Sequence, residues 1–395
     1  MSPKQPTLRR WFFSLPDSLI RTKPATVATV ALVSSLITLT AAFLLLNFML
    51  TEKKIEQQPV HTYDLDDPQF RRSMDVLLGP PIVDGNKVQV LLNGDQIFPS
   101  MLGAIRGARR TITFETYIYW SETLGKGFSD ALIERARAGV KVHVMLDFIG
   151  SIKMNDAAMD AMKAAGIELQ RYHKPVWWKL ARLNNRTHRK LLIVDGKIGF
   201  TGGVGIVDKW RGAGPAHMFS SSPTGGSASM HLMYLMAITA ARRTILLSNT
   251  YFVPDELTVK ALVAAAGRGV AVQIITPGAD IDSNLVRAAS RARWGDLLKA
   301  GIKMAEYQPT MFHVKSLVID SLLVSVGSTN FDNRSFSLND EANLNVLDRT
   351  FAQAQAAVFN DDWRHAKLIT LAAWEARPWS DKIGDKLASL IGAQL

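Results

Sequence analysis

The sequence predicts an α/β protein of two homologous halves, each a mixed, mostly parallel sheet flanked by helices, behind one N-terminal transmembrane helix. Three observations predict it. Strand-like and helix-like patterns alternate from residue 88 onward, as they do in layered α/β domains. The same blocks then return. AIRGARRTI at 104–112 comes back as AITAARRTI at 237–245, ALIERARAGVKVHVML at 131–146 as ALVAAAGRGVAVQIIT at 261–276, and AGIELQRY at 165–172 as AGIKMAEY at 300–307. A repeat of that length marks a duplicated unit. Finally, no charged residue occurs from Pro24 to Thr51, a run long enough to cross the hydrocarbon core of a bilayer at about 1.5 Å per helical residue.

Taken in order, residues 1–23 form a basic tail, with Lys4, Arg9, Arg10, Arg21 and Lys23 against Asp17 alone. Residues 24–50 form the span. A secretory signal peptide would have a shorter apolar core, and no clear small-x-small cleavage site precedes Glu52. The tail is more basic than the Lys53–Lys54 pair beyond the span. That bias predicts a single-pass cell-membrane protein with a cytoplasmic N-terminus and catalytic halves on the extracytoplasmic side. Residues 51–87 carry Pro59, Pro68 and the acidic Asp64, Asp66 and Asp67, and are expected to be a linker.

The first half occupies 88–222. Its pattern predicts strands at Val88–Leu92, Thr111–Trp120, Val140–Asp147 and Ile167–Tyr172, with helices at Gln96–Ala108, Phe128–Ala138 and Asp156–Ala165. The second half, 223–395, repeats that order. It adds a strand near Asn343–Leu347 and a helix near Phe351–Lys367. In the last stretch, WSDKIGDKLASLIGAQL, one helical face holds Trp379, Ile383, Leu387, Leu390 and Ile391, with Lys382, Asp385 and Lys386 off it. That face either meets a membrane or packs on the sheet of the second half.

Composition narrows the partners. The chain has 395 residues and a formal net charge of +11, which favours an anionic partner: nucleic acid, acidic lipid or a phosphate ester. It has no cysteine, which excludes disulfides and thiolate zinc sites. There is no HExxH stretch, and the eight histidines show no other metal-like spacing. Chemistry without metal or cofactor is expected.

Two stretches carry that chemistry. His188-Arg189-Lys190 precedes Asp195 by four residues in THRKLLIVDGKIGFTGG, and His313-Val314-Lys315 precedes Asp320 by the same four in FHVKSLVIDSLLVSVGS. Six further residues lead to Gly202-Gly203 and to Gly327-Ser328. The apolar runs Leu191–Val194 and Ser316–Ile319 read as buried strands, on which each His and its Lys face the same side. Two His and two Lys in one pocket suit a phosphate diester. The lysines hold its oxygens, one imidazole attacks phosphorus and the other protonates the leaving alcohol.

The paired motif resembles the signature of the phospholipase D superfamily, and residues 88 to 375 resemble bacterial cardiolipin synthases and related membrane-anchored proteins. The stretches FETYIYW, HRKLLIVDGKIGFTGGVGI, NTYFVPDE, RASRARWGDLL, YQPTMFHVK and VGSTNFDNRSFSLNDEANLNV carry the likeness. It implies two phospholipase D-like halves and a catalytic set of His188, Lys190, Asp195, His313, Lys315 and Asp320. His188 would be the nucleophile, passing through phosphohistidine, and His313 the general acid. The implied reaction transfers a phosphatidyl group from phosphatidylglycerol to the hydroxyl of a second lipid.

Further candidates for substrate binding are Gly203, Ser328, Asn330, Glu115 and Glu341. Glu115 is a strand carboxylate in need of a partner. Asn330 follows the Gly-Ser pair, where the first half has Gly205. Asp340 or Glu341 is expected to hold the ring of His313. The loop 173–190 is basic, with Lys174, Lys179, Arg182, Arg186 and the pair Trp177-Trp178. It suits a membrane interface, a core-packed Trp pair with a solvated rim, or a nucleic-acid groove. The first half looks short after its motif, so the acid that should support the first His is expected to be missing or replaced by Asp208. Two rivals stay open: a phosphodiesterase that hydrolyses phospholipid or nucleic acid, and a catalytically impaired lipid-binding homologue. The span argues for membrane phospholipid and against nucleic acid as partner. The sequence does not set the oligomeric state.

Overall fold

The structure, a computed structural model, describes residues 24–48, 55, 57–60, 62–78, 81–120, 123–174, 185–203, 219–221 and 229–390. Pro24–Phe48 is one helix of 25 residues. Its Ala25–Ala42 stretch is long and apolar enough to cross a membrane by length and composition. The basic tail and the residues just after the span lie outside the described residues.

Thr51–Leu395 form a separate compact unit. The expected linker contains an ordered helix, Pro68–Leu78. Phe70, Met74 and Leu78, spaced four apart, are buried with Met230, Met233 and Leu235 of the helix Ser229–Ala240. Apolar spacing inside a polar stretch was enough to dock it. The segment is therefore part of the second half's core and not a free connector.

The first half is a five-stranded sheet. Its strands are β1 (Thr111–Thr116), β2 (Lys141–Asp147), β3 (Glu168–Tyr172), β4 (Lys190–Val194) and β5 (Ile198–Thr201), in the order β3-β2-β1-β4-β5. The β3-β2-β1 run is parallel, and β4 and β5 are antiparallel. The expected strand Val88–Leu92 does not form. Val88 and Val90 instead pack beside Val318, Val324 and Leu344 of the second half.

The second half repeats this sheet and extends it. Its strands are β6 (Phe219–Ser221), β7 (Thr244–Asn249), β8 (Phe252–Val253), β9 (Ala271–Pro277), β10 (Lys303–Tyr307), β11 (Lys315–Ile319), β12 (Leu323–Gly327), β13 (Phe331–Asp332), β14 (Glu341–Leu347) and β15 (Ala366–Ile369). Eight of them pair in the order β15-β10-β9-β7-β11-β12-β14-β6. The core β10-β9-β7-β11-β12 matches β3-β2-β1-β4-β5 strand for strand, with the same parallel and antiparallel pairings. Both sheets are mixed, and the parallel share is smaller than strand–helix alternation implies.

Helix ends repeat as well. Gly139 and Gly166 in the first half, and Gly269 and Gly301 in the second, sit at φ between 81° and 89°, the left-handed region that ends helices at low cost only for glycine. One boundary moves. Residues 219–221, expected in the first half, form the outer strand β6 of the second sheet, with Ser221 opposite Glu341. Lys367, expected to end a helix, lies in β15, because the helix stops at Arg364.

Candidate active site

Lys190 and Lys315 begin β4 and β11, each hydrogen-bonded to the central strand of its sheet. Lys190 stands opposite Thr116 of β1, and Lys315 opposite Asn249 of β7. Each His lies two residues before its Lys and so faces the same side. At the other end of each strand the chain turns through a left-handed residue, Asp195 (φ 56°) or Asp320 (φ 52°). The Asp195 carboxylate accepts the backbone N–H groups of Arg109 (3.0 Å), Arg110 (2.7 Å) and Thr111 (2.9 Å). Asp320 accepts those of Arg242 (2.8 Å), Arg243 (2.7 Å) and Thr244 (2.8 Å). Five residues of strand put these carboxylates about 15 Å from their lysines. The expectation that they join the chemistry is corrected: they pin the turn that sets each motif strand.

The Nδ1 of His188 lies 3.0 and 3.1 Å from the two carboxylate oxygens of Glu341. Glu341 comes from β14 of the second half and is fully buried. It also accepts the hydroxyls of Ser328 (2.5 Å) and Ser335 (2.7 Å). The His188 N–H donates to the Asp340 carbonyl (2.8 Å), and the Asp340 N–H to the Arg186 carbonyl (2.8 Å). Glu341 therefore braces His188 and not His313, as expected from its place in the chain. Among the described residues, the acid on the first half's His is supplied by the second half. Asp208, the expected substitute, lies outside the described residues, as do Gly205, Trp177, Trp178, Lys179 and Arg182.

His313 is held from the other side. Its Nδ1 lies 3.1 Å from the carbonyl of Gly203, at the end of the first half's motif. The Lys315 ammonium is 3.1 Å from the same nitrogen and donates to the Thr250 hydroxyl at 3.1 Å. The Lys190 ammonium donates to the His188 carbonyl at 2.6 Å. A Cβ on Gly203 would stand 2.8 Å from the His313 carbonyl oxygen, so the close approach of the two halves requires glycine there.

Burial pushes all four protonatable groups towards neutrality. The Lys190 ammonium is pushed down to about 7 by burial, against the pull of Glu341 and Asp147. Lys315 falls well below the ordinary lysine value through burial and the charge of Lys190. His313 falls well below the ordinary histidine value through burial, Lys315, Lys190 and His188. His188 falls less, because Glu341 opposes its burial. Burial pushes Glu341 up, but the His188 and Lys190 charges and the Ser328 bond outweigh it and hold the carboxyl below its usual range. The pocket is short of negative charge, and an anion bound between the two lysines would let these groups take up protons.

The remaining expected site residues divide. Ser328 touches Glu341 and acts through it. Asn330 is buried, its N–H donates to the Ser335 hydroxyl (3.2 Å), and its Oδ1 has no hydrogen-bond partner among the described residues. Glu115 accepts the Thr187 hydroxyl and lies 3.7 Å from Arg189, so it braces the turn before Lys190.

Three residues escaped sequence reasoning. Asp147, at the end of β2, is buried and accepts the N–H of Thr187 (3.1 Å), one residue before His188. Nothing in a lone strand-end aspartate announces this. The Tyr117 ring meets His188 edge-on at 5.2 Å, and the Tyr251 ring meets His313 at 6.5 Å. Here a signal was present: Thr116-Tyr117 recurs as Thr250-Tyr251.

The chain is similar to known proteins over both halves. The family described as "Cardiolipin synthase, PLD-like domain" matches residues 101–209 and 234–363, one segment per half. Cardiolipin synthase A of Pseudomonas putida (strain GB-1) is 28% identical over 371 residues, covering 81% of this chain and 77% of that protein. Cardiolipin synthase of Geobacillus kaustophilus is 29% identical over 371 residues, covering 80% and 74%. Among solved structures, phosphatidylserine synthase of Haemophilus influenzae superposes with a TM-score of 0.64 at 11% identity, covering 83% of this chain and 100% of that chain. Polyphosphate kinase from Porphyromonas gingivalis superposes with a TM-score of 0.52 at 12% identity, covering 81% and 53%. At these identities the two structures speak for the fold alone.

Proposed function

Because the chain belongs to the cardiolipin synthase, phospholipase D-like domain family, we propose that it is a phospholipase D-type phosphatidyltransferase that makes cardiolipin. The observation that carries this reading is the buried Glu341 carboxylate on His188 Nδ1, in a pocket shared with His313, Lys190 and Lys315. A carboxylate on Nδ1 keeps the proton there and leaves the Nε2 lone pair to attack.

In the first step the anionic phosphodiester of one phosphatidylglycerol lies between the two lysines. Its charge raises the proton affinity of His313, which then carries the proton the leaving alcohol needs. His188 Nε2 forms a bond to phosphorus, the bond from phosphorus to the glycerol oxygen breaks, and His313 delivers its proton to that oxygen. Free glycerol departs. In the second step His313 takes the proton from a primary hydroxyl of a second phosphatidylglycerol. That oxygen bonds to phosphorus and the phosphorus–nitrogen bond breaks. Cardiolipin forms and both imidazoles return to their starting state. The lysines stay on the non-bridging oxygens, where charge builds in the transition state.

The apolar helix Pro24–Phe48 would tether the enzyme to its substrate's bilayer, with the catalytic halves extracytoplasmic. Purified protein given labelled phosphatidylglycerol should yield cardiolipin and free glycerol on thin-layer separation. Phosphatidic acid in place of cardiolipin would mean water is the acceptor, and no product would remove the reading. A reporter fused after residue 395 and active only when exported should be active; silence would reverse the topology.

A further inference from the structure

The C-terminal helix Trp379–Leu390 has an orientation that its sequence left open. It lies against the helix Asn284–Ala292 through the side opposite its apolar stripe. Asp385, 2% exposed, receives Arg291 and Arg377, each at 2.9 Å. Ala388 is buried beside Val286, Ala289 and Val253, with Tyr251 packed on the same cluster. This contact fixes the rotation of the helix. Trp379, Ile383 and Leu387, spaced four apart, consequently point outward at 76%, 50% and 60% exposure. Lys382 and Lys386 are exposed among them. The choice between packing on the sheet and facing outward is thereby settled for these three residues.

We propose that this outward face is a docking surface for an anionic bilayer. Three features favour a membrane over a protein partner. A tryptophan leading an aliphatic stripe with lysines alongside is the composition that lies in an interface. The lysines match anionic headgroups. The docking cluster also contains Tyr251, whose ring meets His313, so one layer of helix, about 10 Å, separates the stripe from a residue beside that histidine. The proposal takes a lipid substrate from the preceding reading, but its test does not depend on turnover.

The chain has no cysteine, so Ile383→Cys gives a unique nitroxide site in the full-length protein. A nitroxide at Ile152→Cys, an exposed position of the first half, is the control. Both are reconstituted into vesicles of phosphatidylcholine alone and of phosphatidylcholine with phosphatidylglycerol. With phosphatidylglycerol present, the label at 383 should become several-fold more accessible to oxygen and less accessible to a water-soluble nickel complex, while the control stays in water. A label at 383 equally exposed to water in both vesicles overturns the proposal. Spin–spin broadening at 383 that vanishes on dilution with unlabelled protein also overturns it, by assigning the face to a second copy of the chain. If the lipid turnover assay fails while the label at 383 still inserts, the docking surface stands without the proposed reaction.

Discussion

The two halves share five strands, a motif strand pinned by an aspartate, and a tyrosine beside the histidine. They part company after the small pair. The second half goes on from Ser328 through β13 to β14 and delivers Glu341. The first half's tail is next seen as β6, hydrogen-bonded to β14 of its sibling. Duplication alone would give two interchangeable histidines. Unequal continuations give His188 a carboxylate and set His313 against the Gly203 carbonyl and two buried lysines. Under the proposed mechanism that difference assigns the roles, since a braced, proton-directing carboxylate suits a nucleophile and a proton affinity that responds to substrate suits a general acid.

The largest expected effect comes from removing either ring. His188→Ala and His313→Ala should each lower kcat/KM by at least ~10⁴-fold. They should differ in kind. With a substrate whose leaving group needs no protonation, His313→Ala should still accumulate phosphoenzyme and His188→Ala should not. Label recovered on His313 would reverse the assignment.

Next come the braces. Glu341→Gln should lower kcat/KM by about 10²- to 10⁴-fold, by analogy with an acid that fixes an imidazole tautomer. Glu341 raises the proton affinity of His188. Without it His188 loses its proton at lower pH, so the acid limb of the pH profile should move down. Gly203→Ala, which crowds the His313 carbonyl, should cost about 10- to 100-fold and leave that limb in place. Equal shifts in both variants would erase the distinction between the halves.

A third contrast is in stability. Lys190 is pushed down to about 7 in the folded protein, against an unfolded value near 10.4. Between those values the unfolded chain binds the extra proton, so this group makes the fold more stable as pH rises from about 7 to about 10. Lys190→Met should abolish activity, raise the folding stability at pH 7 by an amount on the order of a few kcal/mol, and flatten that pH dependence. Melting scans across pH would show it. The smallest effect should be Asp320→Asn, which weakens the turn's hydrogen bonds by ~1–3 kcal/mol and leaves kcat within a factor of a few. A thousandfold loss in kcat with an unchanged melting point would return Asp320 to the chemistry.

The architecture was legible because it is written in local periodicity and written twice. Strand and helix patterns placed β1, β2, β3, β4 and β11 within a residue or a few, and the repeat tied the halves together. Brackets between distant segments were less legible. Sequence order puts Glu341 near His313, and only strand pairing carries it to His188. Asp195 and Asp320 looked catalytic because they share the motif, although five strand residues take them to the far end. Val88–Leu92 alternates like a strand, yet its valines pack beside Val318, Val324 and Leu344 instead of pairing in a sheet. The helix Pro68–Leu78 was hidden by the charged residues that cover its solvent face.

The brace across the halves also has a consequence in time. His188 and the carboxylate that holds it are 153 residues apart. At typical elongation rates of about 5–20 residues per second, roughly 8 to 30 s separate their emergence from the ribosome. Throughout that interval the His188 ring has no Glu341 to fix its tautomer, and for most of it Lys315 has not been made either. Under the proposed mechanism a chain still being translated is therefore inert, and its chemistry begins only when synthesis of the second sheet is nearly complete.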